Sequence, residues 1–153
     1  MTLKGRLLGL AAALAALAAL AGCGSSGPSK ADFVKKADAL CAQTNKAHPP
    51  PAQPKSLKEG ASQAGEEVGI RKDLDAKLRE LDVPGDLKKD FDAYNAGTKQ
   101  IIAAIGKAQG DAVKGDQAKY QVDLQQVDKI AISREKTAIR LGFKTCGRKN
   151  PAQ

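Results

Sequence analysis

The chain has 153 residues, three phenylalanines, two tyrosines, no tryptophan and a formal net charge of +8. This length suffices for one domain, and the scarcity of aromatic residues and of β-branched runs favours a helical domain with a modest core. A single histidine and three cysteines without a CxxC pair argue against the common zinc sites, so we expect no metal and no cofactor.

Residues 1–22 have the layout of a secretory signal peptide, because Lys4 and Arg6 precede an apolar run over residues 7–20. That run is shorter than the roughly 18 residues that a membrane-spanning helix needs. It leads into the letters LAGC, whose last residue is Cys23, and this stretch resembles the lipobox of bacterial lipoproteins. The resemblance implies that the Cys23 thiol carries a lipid and that the chain is cut just before it.

The expected location of the protein follows from that resemblance. The mature chain would be extracytoplasmic and held at the cell membrane by the lipid on Cys23, with residues 23–28 as a flexible linker. A plain signal peptide with an unrelated cysteine nearby is the alternative. Removal of residues 1–22 leaves a helical domain over residues 29–147 and a basic tail over residues 148–153.

Two amphipathic helices are predicted in the first half of the mature chain. The first begins at the N-cap Ser29, places Cys41 on its apolar face and ends before the extended, proline-rich residues 48–55. The second begins at Ser56, which forms a capping box with Glu59. Three glycines weaken its first half and permit close helix contact: Gly60, Gly65 and Gly69.

Two further helices are predicted after the VPGD sequence. The third begins near Pro84, and its apolar face recurs in steps of three and four residues. This face consists of Leu87, Phe91, Tyr94, Thr98, Ile101, Ile105 and Ala108. The fourth helix begins at its cap Asp116 and ends before Gly142 and Phe143, which suit a Schellman motif. Arg134 interrupts its apolar face.

Four such helices with short connections predict an all-α fold, an antiparallel four-helix bundle, although the spacing also permits an extended self-association. Apart from the expected lipidated cysteine, the chain has two cysteines, Cys41 and Cys146. An even pair in an oxidising compartment predicts one disulfide, and two free thiols are the alternative. Cys41 lies about 18 Å along the first helix. For the two cysteines to meet, the tail after Gly142 must climb along that helix, or the helix must slide downward while residues 48–55 span back up, and we expect some of both.

The surplus of positive charge lies near the C-terminus. Basic and acidic residues balance between Cys23 and Asp128, whereas residues 129–153 hold seven basic residues against one acid, Glu135. The seven are Lys129, Arg134, Lys136, Arg140, Lys144, Arg148 and Lys149. They suit contact with anionic lipid or an acidic wall polymer, although solvated residues near a helix C-terminus would have the same composition. Nucleic acid is not expected, because no stacking aromatics lie among them.

The sequence contains no GxSxG, P-loop or HExxH motif, and His48 stands beside three prolines. Acidic residues on the predicted helices are interleaved with basic ones, as in Asp73 and Lys77, which is typical of a solvated surface. We therefore expect a protein that is not an enzyme.

The combination of a lipobox with FVKKADALCAQTN, PGDLKKDFDAY and a terminal LGFKTCG resembles a group of small envelope lipoproteins of actinobacteria. The resemblance implies a helical, disulfide-closed, surface-anchored domain, and it implies no activity. The leading hypothesis is binding of a partner protein or an envelope polymer. The alternative is a sensory or ligand-binding bundle, with a small ligand held between the second and third helices. A cavity lined by Phe91 and Tyr94 would favour the small ligand, and a dry core would favour the partner.

Overall fold

The computed structural model describes residues 27–147, which form an antiparallel bundle of four α-helices. The helices are α1 Lys30–Ala47, α2 Leu57–Arg79, α3 Lys88–Val113 and α4 Gln117–Leu141. The predicted all-helical fold is confirmed for this part of the chain. None of its helices is long and apolar enough to cross a membrane. The expected signal peptide, the expected lipidation site Cys23 and the tail over residues 148–153 lie outside the described residues.

The first two helices begin at the predicted caps. The Ser29 hydroxyl accepts the backbone N–H of Asp32 at 3.1 Å, and the Ser56 hydroxyl accepts that of Glu59 at 3.2 Å. The Glu59 carboxylate reaches back one residue further than a capping box requires, since it accepts the backbone N–H of Lys55 at 2.7 Å. Local side-chain chemistry therefore fixes where both helices start.

The third helix begins later than the sequence predicts. Pro84 has an extended ψ of 139° and precedes a 3-10 turn over Gly85–Leu87, so that α3 starts only at Lys88. The turn places Leu87 in the core, where it is 5% exposed.

The fourth helix has both of its predicted ends. The Asp116 carboxylate accepts the backbone N–H of Lys119 at 3.0 Å. At the other end Gly142 has a φ of 90°, and the Phe143 N–H donates to the Ala138 carbonyl at 3.0 Å, as in a Schellman motif. This turn directs the buried Phe143 back onto the bundle.

An aromatic core occupies one end of the bundle and contains all three phenylalanines and Tyr94. The ring centroids of Phe33 and Phe91 are 5.3 Å apart at right angles, and Phe143 lies 5.7 Å from Phe33 and 5.4 Å from Tyr94. The opposite end is packed mainly by alanines and aliphatic residues of α2, α3 and α4. The first helix therefore closes the aromatic end only.

The C-terminal tail climbs along α1, which is the first of the two routes predicted for closing the disulfide. Gly142 lies beside Val34 near the start of that helix. One turn further on, the Asp38 carboxylate accepts the backbone N–H groups of residues 144–146 at distances from 2.8 to 3.2 Å. Cys146 then forms the predicted disulfide with Cys41, with 5.3 Å between their Cα atoms.

Candidate functional site: a cleft between α2 and α4

A cleft of about 790 Å³ opens between α2 and α4. Both helices pack chiefly on α3, which forms the floor of the cleft, and they make few contacts with each other. The first helix has 18 residues, whereas the other three have 23 to 26. Because α1 is short, it stops beside the cleft, and residues 48–51 of the proline-rich segment continue the rim.

Apolar side chains of three helices line the cleft. They are Ile70 and Leu74 of α2, Ile101 and Ile105 of α3, and Leu124 and Val127 of α4. Tyr94 also lines it, whereas Phe91 lies in the aromatic core and is not among the lining residues. The volume falls within the range of about 300–1,000 Å³ that is typical of pockets for small organic ligands. The space anticipated between the second and third helices is therefore found between the second and fourth.

Two of the three α2 glycines permit the close helix contact that the sequence predicts. A Cβ atom at Gly60 would lie 2.6 Å from the Tyr120 hydroxyl of α4, and one at Gly65 would lie 2.6 Å from the Gln109 amide nitrogen of α3. Gly69 has open space around it. The contact at Gly60 brings α2 against α4 at the end of the bundle opposite the aromatic core.

Arg134 places a positive charge on the inner wall of the cleft. Its guanidinium carbon lies 5.0 Å from the centroid of the Tyr94 ring, and its Nη1 donates to the Thr98 hydroxyl at 3.2 Å. The Thr98 hydroxyl in turn donates to the Tyr94 carbonyl at 3.1 Å. The Nε atom of Arg134 is buried without a hydrogen-bond partner among the described residues.

Burial shifts the ionisation of both groups at this wall. It lowers the pKa of Arg134 and raises the pKa of Tyr94, because a low-dielectric environment disfavours the charged form of each. The two acids that act electrostatically on Arg134 already form ion pairs within α2. Glu67 lies 2.6 Å from Arg71, and Asp75 lies 2.7 Å from Arg79. Within residues 27–147, Arg134 is thus a half-buried cation without a carboxylate at ion-pair distance.

The structure separates the basic residues that the sequence groups together. Arg134 turns into the bundle, and Arg140 forms an ion pair with Asp90 of α3 at 3.0 Å. Three others are exposed and make no ion pair with any described residue: Lys129, Lys136 and Lys144. Arg148 and Lys149 lie outside the described residues.

A second depression, of about 400 Å³, lies between α3 and α4, and Arg134 lines it together with Gly97 and Lys129. Between residues 27 and 147, no three metal-ligating side chains gather into one cluster, and His48 is exposed at the end of α1. Comparison of the chain with protein-family models, with curated proteins and with solved structures finds no match. The function must therefore be inferred from the residues of the cleft themselves.

Proposed function

We propose that the protein is a lipid-anchored, extracytoplasmic helical domain that binds a small amphipathic molecule and catalyses no reaction. The observation that carries the proposal is the cleft, which combines apolar walls with the unpaired cation of Arg134. A half-buried charge with a free donor is costly unless something neutralises it. An anionic group of a bound ligand would do so.

The charges around the cleft restrict the ligand further. Glu66 and Asp128 are exposed among the lining residues, and Glu135 is partly exposed. These acids repel molecules with several negative charges, such as nucleotides or acidic wall polymers. The ligand that fits best is a long apolar molecule with one carboxylate, placed against Arg134.

Binding of a fluorescent long-chain fatty acid tests this proposal. We expect the unlipidated mature chain, residues 23–153 with Cys23→Ser, to bind the acid more tightly than the corresponding neutral alcohol. Arg134→Met should weaken binding of the acid by about 10- to 150-fold, the usual contribution of a hydrogen bond to a charged group. Binding of the alcohol should stay the same. Fluorescence titration of both probes measures these ratios.

A matched control is available on the same helix. Arg140→Met removes a cation that is exposed and paired with Asp90, so it should leave both affinities unchanged. Equal affinity for acid and alcohol would show that the cleft accepts apolar molecules without using Arg134. Absence of binding by either probe would contradict a ligand-binding role and favour a partner protein or an envelope polymer.

The proposed lipidation of Cys23 can be tested separately from ligand binding. The support for it is the LAGC sequence ending at Cys23, which stands six residues before the cap of α1 at Ser29. We expect Cys23→Ser to move the full-length protein from the membrane fraction to the soluble extracytoplasmic fraction. Fractionation with membranes washed in about 1 M salt, which screens surface charges, measures this. Retention on washed membranes of a variant that N-terminal sequencing shows to lack residues 1–22 would refute the anchor.

A further inference from the structure

We infer that Asp111 of α3 and Asp123 of α4 share one proton, which makes the packing of these two helices depend on pH. Neither residue lines the cleft, so a shared proton at this place is independent of the ligand proposed above. It gives a role to two buried acids that ligand binding does not use.

Both acids lie at the end of the bundle opposite the aromatic core, and they are buried at 7% and 5% exposure. The Oδ1 atom of Asp123 accepts a hydrogen bond from Lys107 at 2.8 Å, and the Oδ1 atom of Asp111 lies 3.8 Å from Lys114. Each Oδ2 atom is buried and has no hydrogen-bond donor among residues 27–147. Two carboxylate oxygens are therefore withdrawn from water without a hydrogen atom to accept, which is costly.

The two carboxyl groups lie within hydrogen-bonding reach of each other. Hydrogen bonds from Lys107 and from Asp111 lower the pKa of Asp123 against the opposing effect of burial. Ionised carboxylates only accept hydrogen bonds, so a hydrogen bond between two of them requires a proton on one. Two ionised carboxylates that share a site repel each other, and retention of one proton removes that repulsion.

The cations at this end of the bundle are mostly in water or already paired. Lys107 and Lys114 approach the Oδ1 atoms, and their side chains are 68% and 75% exposed. At the start of α4, Lys119 pairs with the cap Asp116 at 2.7 Å. These lysines balance the charge of the acids from outside, and they leave the contact between the two carboxyl groups to a proton.

The second helix covers the same end with Leu57 and Ala61. Of its charged residues there, Lys58 is exposed and the Glu59 carboxylate accepts the Lys55 N–H. The hydroxyl of the buried Tyr120 lies against Gly60 of that helix. A metal ion fits the two acids less well than a proton does, since no third metal-ligating side chain joins them within residues 27–147.

The shared proton fixes the sign of the pH dependence. Isolated aspartates of the unfolded chain bind protons at a pH of about 3.9. The folded pair binds its first proton at a higher pH, so the folded state holds more protons there and gains stability as the pH falls from neutral. At a lower pH the second proton breaks the ion pair of Asp123 with Lys107, and stability falls again through the depressed pKa of Asp123. The start of α4, whose Tyr120 lines the cleft, is thus fastened most tightly at mildly acidic pH.

Asp111→Asn tests the inference, because the amide has the shape of a protonated carboxyl and donates to Asp123 at any pH. The reference is the mature chain with Cys23→Ser. We expect the unfolding equilibrium constant of the variant at pH 7 to be about tenfold smaller than that of the reference, which corresponds to an interaction of about one pH unit between the acids. The difference should shrink as the pH falls and the reference takes up its proton. Urea unfolding at a series of pH values measures the ratio.

Asp90→Asn is the matched control on α3, because Asp90 is a single carboxylate paired with Arg140 at 3.0 Å. Its effect at pH 7 should have the opposite sign, with an unfolding constant larger by less than about fivefold. Carbon NMR of the aspartate side chains gives a direct readout. The carboxyl resonances of Asp111 and Asp123 should titrate together in two separate steps.

A larger unfolding constant for Asp111→Asn at pH 7 would overturn the inference, as would independent single-step titration of the two carboxyl carbons. Stabilisation of the reference by about 1 mM calcium chloride, a concentration that fills many extracellular calcium sites, would overturn it in favour of a bound cation if Asp111→Asn abolished the effect.

Discussion

Replacement of both disulfide cysteines, Cys41→Ala with Cys146→Ala, is expected to lower the free energy of unfolding of the bundle by about 3–5 kcal/mol. The two cysteines are 105 residues apart in the sequence, so the disulfide closes nearly the whole domain into one loop. On the loop-entropy account, a loop of about 100 residues contributes roughly 4–5 kcal/mol by restricting the unfolded chain. For a small domain whose total stability is about 5–15 kcal/mol, this is a large part.

Urea unfolding followed by far-UV circular dichroism measures the effect. The mature chain with Cys23→Ser is the proper reference, because it has no thiol outside the disulfide. Both cysteines are nearly inaccessible, at 2% and 1% exposure, and alanine fills most of the space each leaves. A transition midpoint equal to that of the oxidised reference would refute the role of the disulfide. Alkylation of the unreduced reference protein at Cys41 would show that the bond does not form.

Most of the fold is predictable because its determinants are local. The caps Ser29, Ser56 and Asp116 each bond a backbone N–H three residues ahead, and Gly142 takes the left-handed conformation that a helix end requires. Such signals need no knowledge of the rest of the chain. The disulfide could be predicted for a similar reason, since only two cysteines remain after Cys23.

The cleft could not be predicted, because it depends on how far one helix extends relative to others. The sequence places glycines on α2 and suggests space beside them, but the space opens where α1 ends early and α2 and α4 face each other across α3. No residue of α1 carries that information by itself. Differences in helix length become a cavity only after the helices pack.

The location of Arg134 in the fold follows from its position on the helix and not from its charge. Its position falls within the apolar stripe of α4, which indicates the core, whereas its chemistry groups it with the exposed lysines nearby. The structure follows the helical period: Arg134 turns inward against Tyr94 and Thr98. The interruption of an otherwise apolar stripe is the sequence signal for a charge that faces inward, and here the helical period, not the charge, decides which way the side chain points.

The second large effect is expected at Asp38, which periodicity places beside the core but to which no sequence motif assigns a role. Asp38→Ala should lower the free energy of unfolding by about 2–3 kcal/mol. The carboxylate accepts three backbone N–H groups of the tail. A hydrogen bond to a charged group contributes about 1.5–3 kcal/mol net of exchange with water, and the three do not add because they share one partly exposed carboxylate. Asp73→Ala, an exposed residue 3.8 Å from Lys77, should change stability by less than about 0.5 kcal/mol.

A double-mutant cycle between Asp38→Ala and the cysteine-free protein separates two roles of the disulfide. Both features fasten the same tail to α1, so their effects should not add. If the disulfide holds the tail in place for Asp38, then Asp38→Ala should cost clearly less in the cysteine-free background, because the frayed tail no longer makes these hydrogen bonds. A full cost in both backgrounds would mean that the tail stays docked without the bond. The disulfide would then act on the unfolded chain alone, and Asp38 with Phe143 would be sufficient to close the bundle.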